Sequence, residues 1–429
     1  MSQQDDFSND DPKLPPPLDL AKWRTLPVKL MIGGGVVSLL GALLNLKQFG
    51  YSWLLAFMFC LSLGIGALFL VLAHHLFDAG WSVATRRFCE HIASLLFPTL
   101  AVLFVPIAIL APKLYSWMGP QLQQTPDHAL HTKYPLLSYP GFYLVVVGCF
   151  ATWGLLTNRL AYWSQKQDET GAAECTYKMR FHASWGIWLF AFTTTGAAIM
   201  WMKALQYQWF STMYGVYYFA GSVWLTLATV YVITMLLDRQ RILSKVLHEH
   251  QYYFLGSLLF AFTVFYAYVT FSQYFIIWNA NMPEETFWYV AREKGTWFWV
   301  SMVIIFGHFF VPFLALLRID VKSKFPIMIG LAVWAWLMHF VDMAFNILPV
   351  PHPDGFPFQW VWLPLGCLAF MVGVLATVFL KKFASAPPFP QKDPRLVEAM
   401  GLYHPVATPI SGGEMDQPAG LPGQPEEGH

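Results

Sequence analysis

The sequence predicts an all-α integral membrane protein with ten transmembrane helices, on three observations. Apolar residues make up 56% of the 429 and charged residues only 12%, about half the ~25% charged share of an ordinary soluble domain. Ten apolar stretches are each long enough to cross a bilayer, for which about 20 residues at ~1.5 Å rise suffice. Their charges are one-sided: 20 of the 26 Lys and Arg fall on the side shared by the termini and 6 on the other. No stretch alternates with the period of two of a membrane strand, and hydrocarbon leaves no backbone group free to seek water, so the stretches are read as helices.

The acidic, polar opening MSQQDDFSNDDP has no basic lead ahead of a short apolar core, so it is not read as a signal peptide. Residues 1–24 form an N-terminal tail and span 1, at 28–46, is a retained helix. Span 2 covers 52–76. Span 3, at 88–111, contains Pro98 and Pro106, where a helix can break. Spans 4 to 7 run over 140–163, 180–203, 211–237 and 253–278. Spans 8 to 10 run over 296–318, 325–348 and 360–381, closing a membrane domain of 25–385.

Trp23, Trp53, Trp81, Trp117, Trp163, Trp209 and Trp360 stand near span ends, as interfacial belts do. The positive-inside rule places both termini in the cytoplasm. On the opposite side the longest loop, 112–139, carries Pro112, Pro120, Pro126 and Pro135. It reads equally as a dock for an external partner and as a cap over the helices. Residues 386–429, rich in Pro, Gly and acid, read as a flexible cytoplasmic tail.

Function has to be sought in the polar groups held at membrane depth, because ionisable side chains are expensive there. One set lies at the cytoplasmic ends of spans 2, 3 and 5. His74 and Asp78 are spaced i and i+4, so they share a helix face, with His75 pointing elsewhere. Glu90 and His91 open span 3, and Arg180 and His182 open span 5. Histidine passes protons either way near neutral pH, so this set reads as a proton-collecting mouth or as a network of caps and ion pairs, with Asp78 facing Arg86 or Arg87.

The second set is deeper. His308 sits in mid-span 8, and His339 and Asp342 are i and i+3 on one face of span 9. Counted from Phe325 at ~1.5 Å per residue, they lie roughly 21 and 26 Å from the inner edge. Asp342 is the only acid well inside any span, and a carboxylate there needs a cation, a proton or a water-filled cavity. The pair reads as a proton relay, as quinone contacts, or as a hydrogen-bonded clamp between helices. Hydroxyls between the sets (Thr193, Thr194 and Thr195; Thr263, Tyr266, Tyr268, Thr270, Ser272 and Gln273) can carry protons, but more commonly bond back to their own helix. Tyr214, Tyr217 and Tyr218 read as belt and packing.

Several classes are excluded. A net charge of +1 gives no pull toward nucleic acid. Cys60, Cys89, Cys149, Cys175 and Cys367 form no Cys-x-x-Cys pair, so they read as packing thiols, and no metal site is expected. Haem b needs two facing histidines at matched depth. His308 and His339 are the only such pair, and the neighbouring Asp342 argues against that use. No phosphate-binding loop, dinucleotide fingerprint or nucleophile elbow is present.

AHHLFDAGWSVATRR at the end of span 2, FHASWGIWLF opening span 5 and WFSTMYGVYYFAGSVW entering span 6, together with the ten spans, resemble the NrfD-like (polysulfide-reductase-type) integral membrane subunits, in particular the ActF subunits of bacterial alternative complex III. The resemblance covers about 25–385. It implies two four-helix bundles, spans 2–5 and 6–9, with spans 1 and 10 outside. It implies a bacterial inner-membrane subunit of a respiratory-chain quinol:cytochrome c oxidoreductase, contributing proton translocation or quinone (menaquinone) handling and anchoring periplasmic subunits. Haem c and iron–sulfur clusters belong to partners: multihaem cytochromes c, an iron–sulfur subunit, an NrfD-like paralogue and, downstream, a cytochrome oxidase. Two other readings stay open, a purely structural scaffold of that complex and a secondary transporter.

Overall fold

The computed structural model describes residues 21–119, 122, 127–243, 246, 247 and 249–400. Most of the expected N-terminal tail, Pro120, Pro126 and residues 401–429 lie outside these. Ten helices are long and apolar enough to span a membrane: Trp23–Leu44, Leu46–Leu76, Gly80–Leu114, Tyr139–Thr170, Ala173–Gln206, Tyr214–Arg239, His250–Ala280, Gly295–Leu316, Phe325–Ile347 and Phe358–Phe383. They match the ten expected spans in order, and most run past the apolar stretch into the interface. The protein is an all-α, multi-pass membrane protein. Ten crossings return the chain to the side from which it started, here called the tail side.

Spans 2 and 6 form the centre. Their apolar windows are 89% and 78% buried, against 44% or less for the others. This is why span 2 is apolar all round: a helix with protein on every side has no solvent face. Span 2 closes a ring with spans 3, 4 and 5, span 6 closes one with spans 7, 8 and 9, and the two bundles meet where span 2 crosses span 6. At that crossing a Cβ on Gly66 would stand 2.8 Å from Thr226 Cβ, so only glycine lets the backbones approach this closely. Thr226 Oγ1 donates to Leu63 O (3.1 Å) and Tyr218 Oη to Met58 O (2.8 Å) across the same seam. Spans 1 and 10 pair outside the bundles through glycine contacts. A Cβ on Gly34 would meet Gly366 O at 2.6 Å, and one on Gly373 would meet Pro27 O at 2.6 Å.

Three spans are irregular. Span 3 breaks at Phe97 (φ −141°, ψ 131°), because the residue before Pro98 is pushed to extended geometry. Span 5 has a widened π turn at Ala198–Met202 and span 8 one at Ile304–Phe310. Such turns concentrate at functional positions, and the one in span 8 contains His308. Opposite the tail side, the described part of loop 112–139 folds inward. Tyr115 Oη donates to Trp201 O (2.9 Å) and Trp117 Nε1 to Ala204 O (3.1 Å). Of the two readings of this loop, its described residues make the cap.

The expected flexible tail is corrected over 386–400. Asp393 pairs with Arg86, Arg395 Nη1 reaches Asp78 Oδ1 (2.8 Å), Gln391 N donates to Asp168 Oδ1 (3.0 Å), and Gln251 Nε2 donates to Ala399 O (2.9 Å). Composition suggested mobility, but Asp393 meets buried Arg86 and Arg395 meets Asp78 at the surface, and these pairs outweigh it.

Candidate functional site

The two expected polar sets differ in kind. On the tail side, Arg86 is the hub. Its Nε sits 3.0 Å from Glu90 Oε1, its Nη1 pairs with Asp393, and Nη1 also donates to His74 Nε2 (3.1 Å). Because His74 Nε2 accepts, its Nδ1 carries the proton and donates to Ser82 Oγ at 2.7 Å. Arg87 pairs with Glu90 (3.2 Å) and Asp168. Arg86, Arg87 and Glu90 are buried, and each charge faces its opposite. A cavity of about 320 Å³, lined in part by His74, Ser82 and Arg86, lies beside them.

The expected single mouth is only partly assembled. Span 2 ends at Leu76 and Asp78 takes a left-handed φ of 53°. His74 and Asp78 therefore do not share a helix face, contrary to the i, i+4 reading. Nor does Asp78 face Arg86 or Arg87; it pairs at the surface with Arg180 and Arg395, both at 2.8 Å. His75 is buried beside His74 with neither ring nitrogen bonded. His91 turns away to Phe379 and Phe383 of span 10. His182 rests against Trp185 and Phe181.

The deep set converges. His308, His339 and Asp342 each place a donor atom within 4.8 Å of the others, and all three are at most 2% exposed. No metal-ligating group was expected from spacing, because these residues come from two helices. The His308 ring is clamped between Trp224 (4.0 Å) and Tyr266 (3.8 Å), which fixes its plane while both nitrogens stay unbonded. His339 Nε2 pairs with Ser62 Oγ of span 2 (2.9 Å), and Ser62 donates to Met58 O (3.0 Å). With the serine proton so used, Nε2–H is the donor and His339 Nδ1 holds a free lone pair. Asp342 Oδ1 accepts from Tyr217 Oη, while Oδ2 has no partner.

This centre is tethered to the surface opposite the tail side. Asn346, one turn beyond Asp342, donates to Tyr217 Oη (2.7 Å) and accepts from Tyr214 Oη (2.9 Å). Arg292, from the short helix Pro283–Arg292, donates to Asn346 O (3.1 Å) and Phe345 O (3.1 Å) and lies 3.5 Å over the Trp288 ring. Burial pulls the Arg292 pKa down to about 9, which leaves it charged at neutral pH.

Tyr214 and Tyr217 were read as belt, and that is corrected: both belong to this network. Their i, i+3 spacing, matching that of His339 and Asp342, was the available signal. The hydroxyls of Thr263 and Thr270 bond back to their own helix (2.9 and 2.8 Å), while Tyr268 is exposed on the outer face.

An open groove of about 760 Å³ runs between spans 7, 8 and 9, walled by Phe271, Phe298, Phe309, Phe310 and Phe345 and reaching Tyr266 and Arg292. His339 and Asp342 do not line it. They face inward to spans 2 and 6, and Tyr266 stands between. No protein-family profile matches this chain, and no curated protein sequence matches it.

Proposed function

We propose that the chain is a proton-handling membrane subunit of a quinol:cytochrome c oxidoreductase of the alternative complex III type. It sits in a bacterial inner membrane with both termini in the cytoplasm and anchors periplasmic redox subunits that carry the haem c and iron–sulfur clusters. One observation carries this reading. At membrane depth the chain holds an acid and two imidazoles whose remaining atoms, Asp342 Oδ2, His339 Nδ1 and both His308 nitrogens, make no well-aligned hydrogen bond to protein, although Tyr266 lies beside Asp342. A buried polar atom left unbonded costs about 1–3 kcal/mol, so a purely structural clamp would be expected to pair them.

The chemistry follows from the geometry. Tyr217 holds one carboxyl oxygen of Asp342, leaving Oδ2 to take or give a proton. The His339 Nδ1 lone pair is oriented as an acceptor by the Nε2–Ser62 bond. The aromatic groove is large enough for the ring and first isoprenoid units of a quinone such as menaquinone. A head group seated there would be one residue, Tyr266, from the centre. Tyr266 Oη is itself buried and unbonded. Quinone handling thus operates through Tyr266, and Asp342 and His339 serve as proton partners behind it.

The test is Asp342→Asn in the reconstituted complex, with protons released per electron and quinol turnover measured together. Proton yield should fall while the complex still assembles with its multihaem cytochrome. If yield and turnover are both unchanged, the chain is only a scaffold.

A further inference from the structure

We infer that His308, His339 and Asp342 form a binding site for a divalent transition cation of the Zn²⁺ class. The site does not depend on the respiratory assignment; it needs only the three donors and their surroundings. Two imidazoles and a carboxylate with a fourth position open are a zinc-type donor set. The atoms a cation would need are the ones left free, and each ligand is oriented from behind. Ser62 holds His339 through Nε2 and leaves Nδ1. Tyr217 holds Asp342 through Oδ1 and leaves Oδ2. Trp224 and Tyr266 hold the His308 ring by its faces and leave its edge. Such outer partners fix ring orientation and raise ligand basicity in metal sites.

The dimensions are close. Bonds of ~2.0–2.2 Å set tetrahedral ligand atoms about 3.4 Å apart, against the 4.8 Å limit found here. The donors must therefore draw in by at most about 1.5 Å, within the reach of small side-chain torsions. The His308 and His339 ring centroids, 6.5 Å apart, stand near the roughly 5–6 Å of two imidazoles on one ion with such bonds. Charge also balances. An ionised Asp342 and one hydroxide on the open position neutralise a divalent ion, as a low-dielectric interior requires. Binding therefore releases protons to solvent, from Asp342 where it is protonated and from the bound water. Entry is through the groove, whose inner wall at Tyr266 is the ring stacked on His308. If the proton reading above also holds, a cation here occupies Asp342 Oδ2 and arrests proton transfer.

The experiment is equilibrium dialysis of the purified full-length chain in detergent against Zn²⁺ with elemental analysis, paralleled by Co²⁺ and its visible ligand-field bands. One Zn²⁺ per chain is expected, with the cobalt spectrum of a tetrahedral nitrogen–oxygen site. His308→Ala and His339→Ala should each weaken binding at least tenfold, and Tyr217→Phe by about 10- to 100-fold through the outer shell. His91→Ala and His182→Ala should leave it unchanged. Asp342→Glu, which keeps the carboxylate, should retain the cobalt bands and so separates ligand loss from misfolding. Absence of stoichiometric Zn²⁺, or binding indifferent to all three ligands, overturns the site and leaves a water-bridged cluster. If Zn²⁺ fails to bind while Asp342→Asn still lowers proton yield, only the cation site falls. If Zn²⁺ binds as described and Asp342→Asn leaves proton yield intact, only the proton reading falls.

Discussion

The tail-side cluster and the deep centre both bury ionisable groups, but only the first pairs its charges. Around Arg86 each carboxylate meets a guanidinium, and Arg86 itself touches Glu90, Asp393 and His74. Around Asp342 the partners are neutral hydroxyls and imidazoles, and several donor and acceptor atoms are left over. A paired network is what fixes a structure. An unpaired one at similar burial is expensive unless something mobile, a proton, a water or a cation, completes it. On the reading proposed above, the difference puts anchoring on the tail side and proton chemistry in the half of the second bundle away from it. His75, buried with both nitrogens unbonded, departs from this pattern, as do His91 Nε2 and His182 Nδ1.

The largest expected effect tests the anchoring half. Arg86→Ala takes one of two cations from each of Glu90 and Asp393, leaving Arg87 and Arg395, and breaking a buried pair from one side costs up to about 3–5 kcal/mol. Thermal unfolding in detergent should show a large loss of stability. Asp342→Asn removes no formal counter-charge and should cost markedly less in the same assay. Equal losses would erase the distinction between the regions.

The next effect is local to the tail. Burial opposes ionisation of Asp393, but the Arg86 and Arg395 charges outweigh it and hold its carboxyl well below the usual range. A depressed native pKa contributes stability that is present above the unfolded value and lost as pH falls through the native one. Between about pH 5 and pH 8 the docking of 386–400 should therefore be flat. Asp393→Asn should release it at any pH in that window. Hydrogen exchange across 386–400 reads both. Protection that titrates near neutrality would mean that a histidine, with His74 nearest through Arg86, controls the strap instead.

The comparison also marks what a single sequence can carry. The ten spans were legible because length and apolarity are properties of consecutive residues. The shared face of His339 and Asp342 was legible for the same reason, since i, i+3 neighbours need only one helix. The arrival of His308 was not, because it depends on how span 8 is rotated against span 9, and on the π turn that resets that rotation. Asp78 was misplaced because span 2 stops two residues before it, at a left-handed turn whose αL position is taken by Asp78 itself rather than by Gly80 two residues on. Tyr217 was misread because a tyrosine at a span end resembles a belt residue until an acid on another helix is seen to meet it. The strap was misread because Pro and Gly content speaks for mobility, while its contact with Arg86 links positions 307 residues apart.

The smallest expected effect bears on whether protons travel along the hydroxyls of span 7. Thr263 accepts from Trp224 Nε1 (2.8 Å), and that tryptophan is one of the two rings clamping His308. Thr270 bonds back to Tyr266 O, and its side chain lies beside the Tyr266 hydroxyl in the groove wall. Thr270→Val keeps the shape and deletes a hydroxyl that serves its own helix, so stability should change by at most about 0.5 kcal/mol and proton yield not at all. Thr263→Val leaves the Trp224 N–H unbonded and should cost about 1–3 kcal/mol, loosening the clamp without removing any proton-bearing atom. A fall in proton yield for Thr270→Val would instead bring the hydroxyls of span 7 into the path, through Thr270 beside Tyr266 in the groove wall.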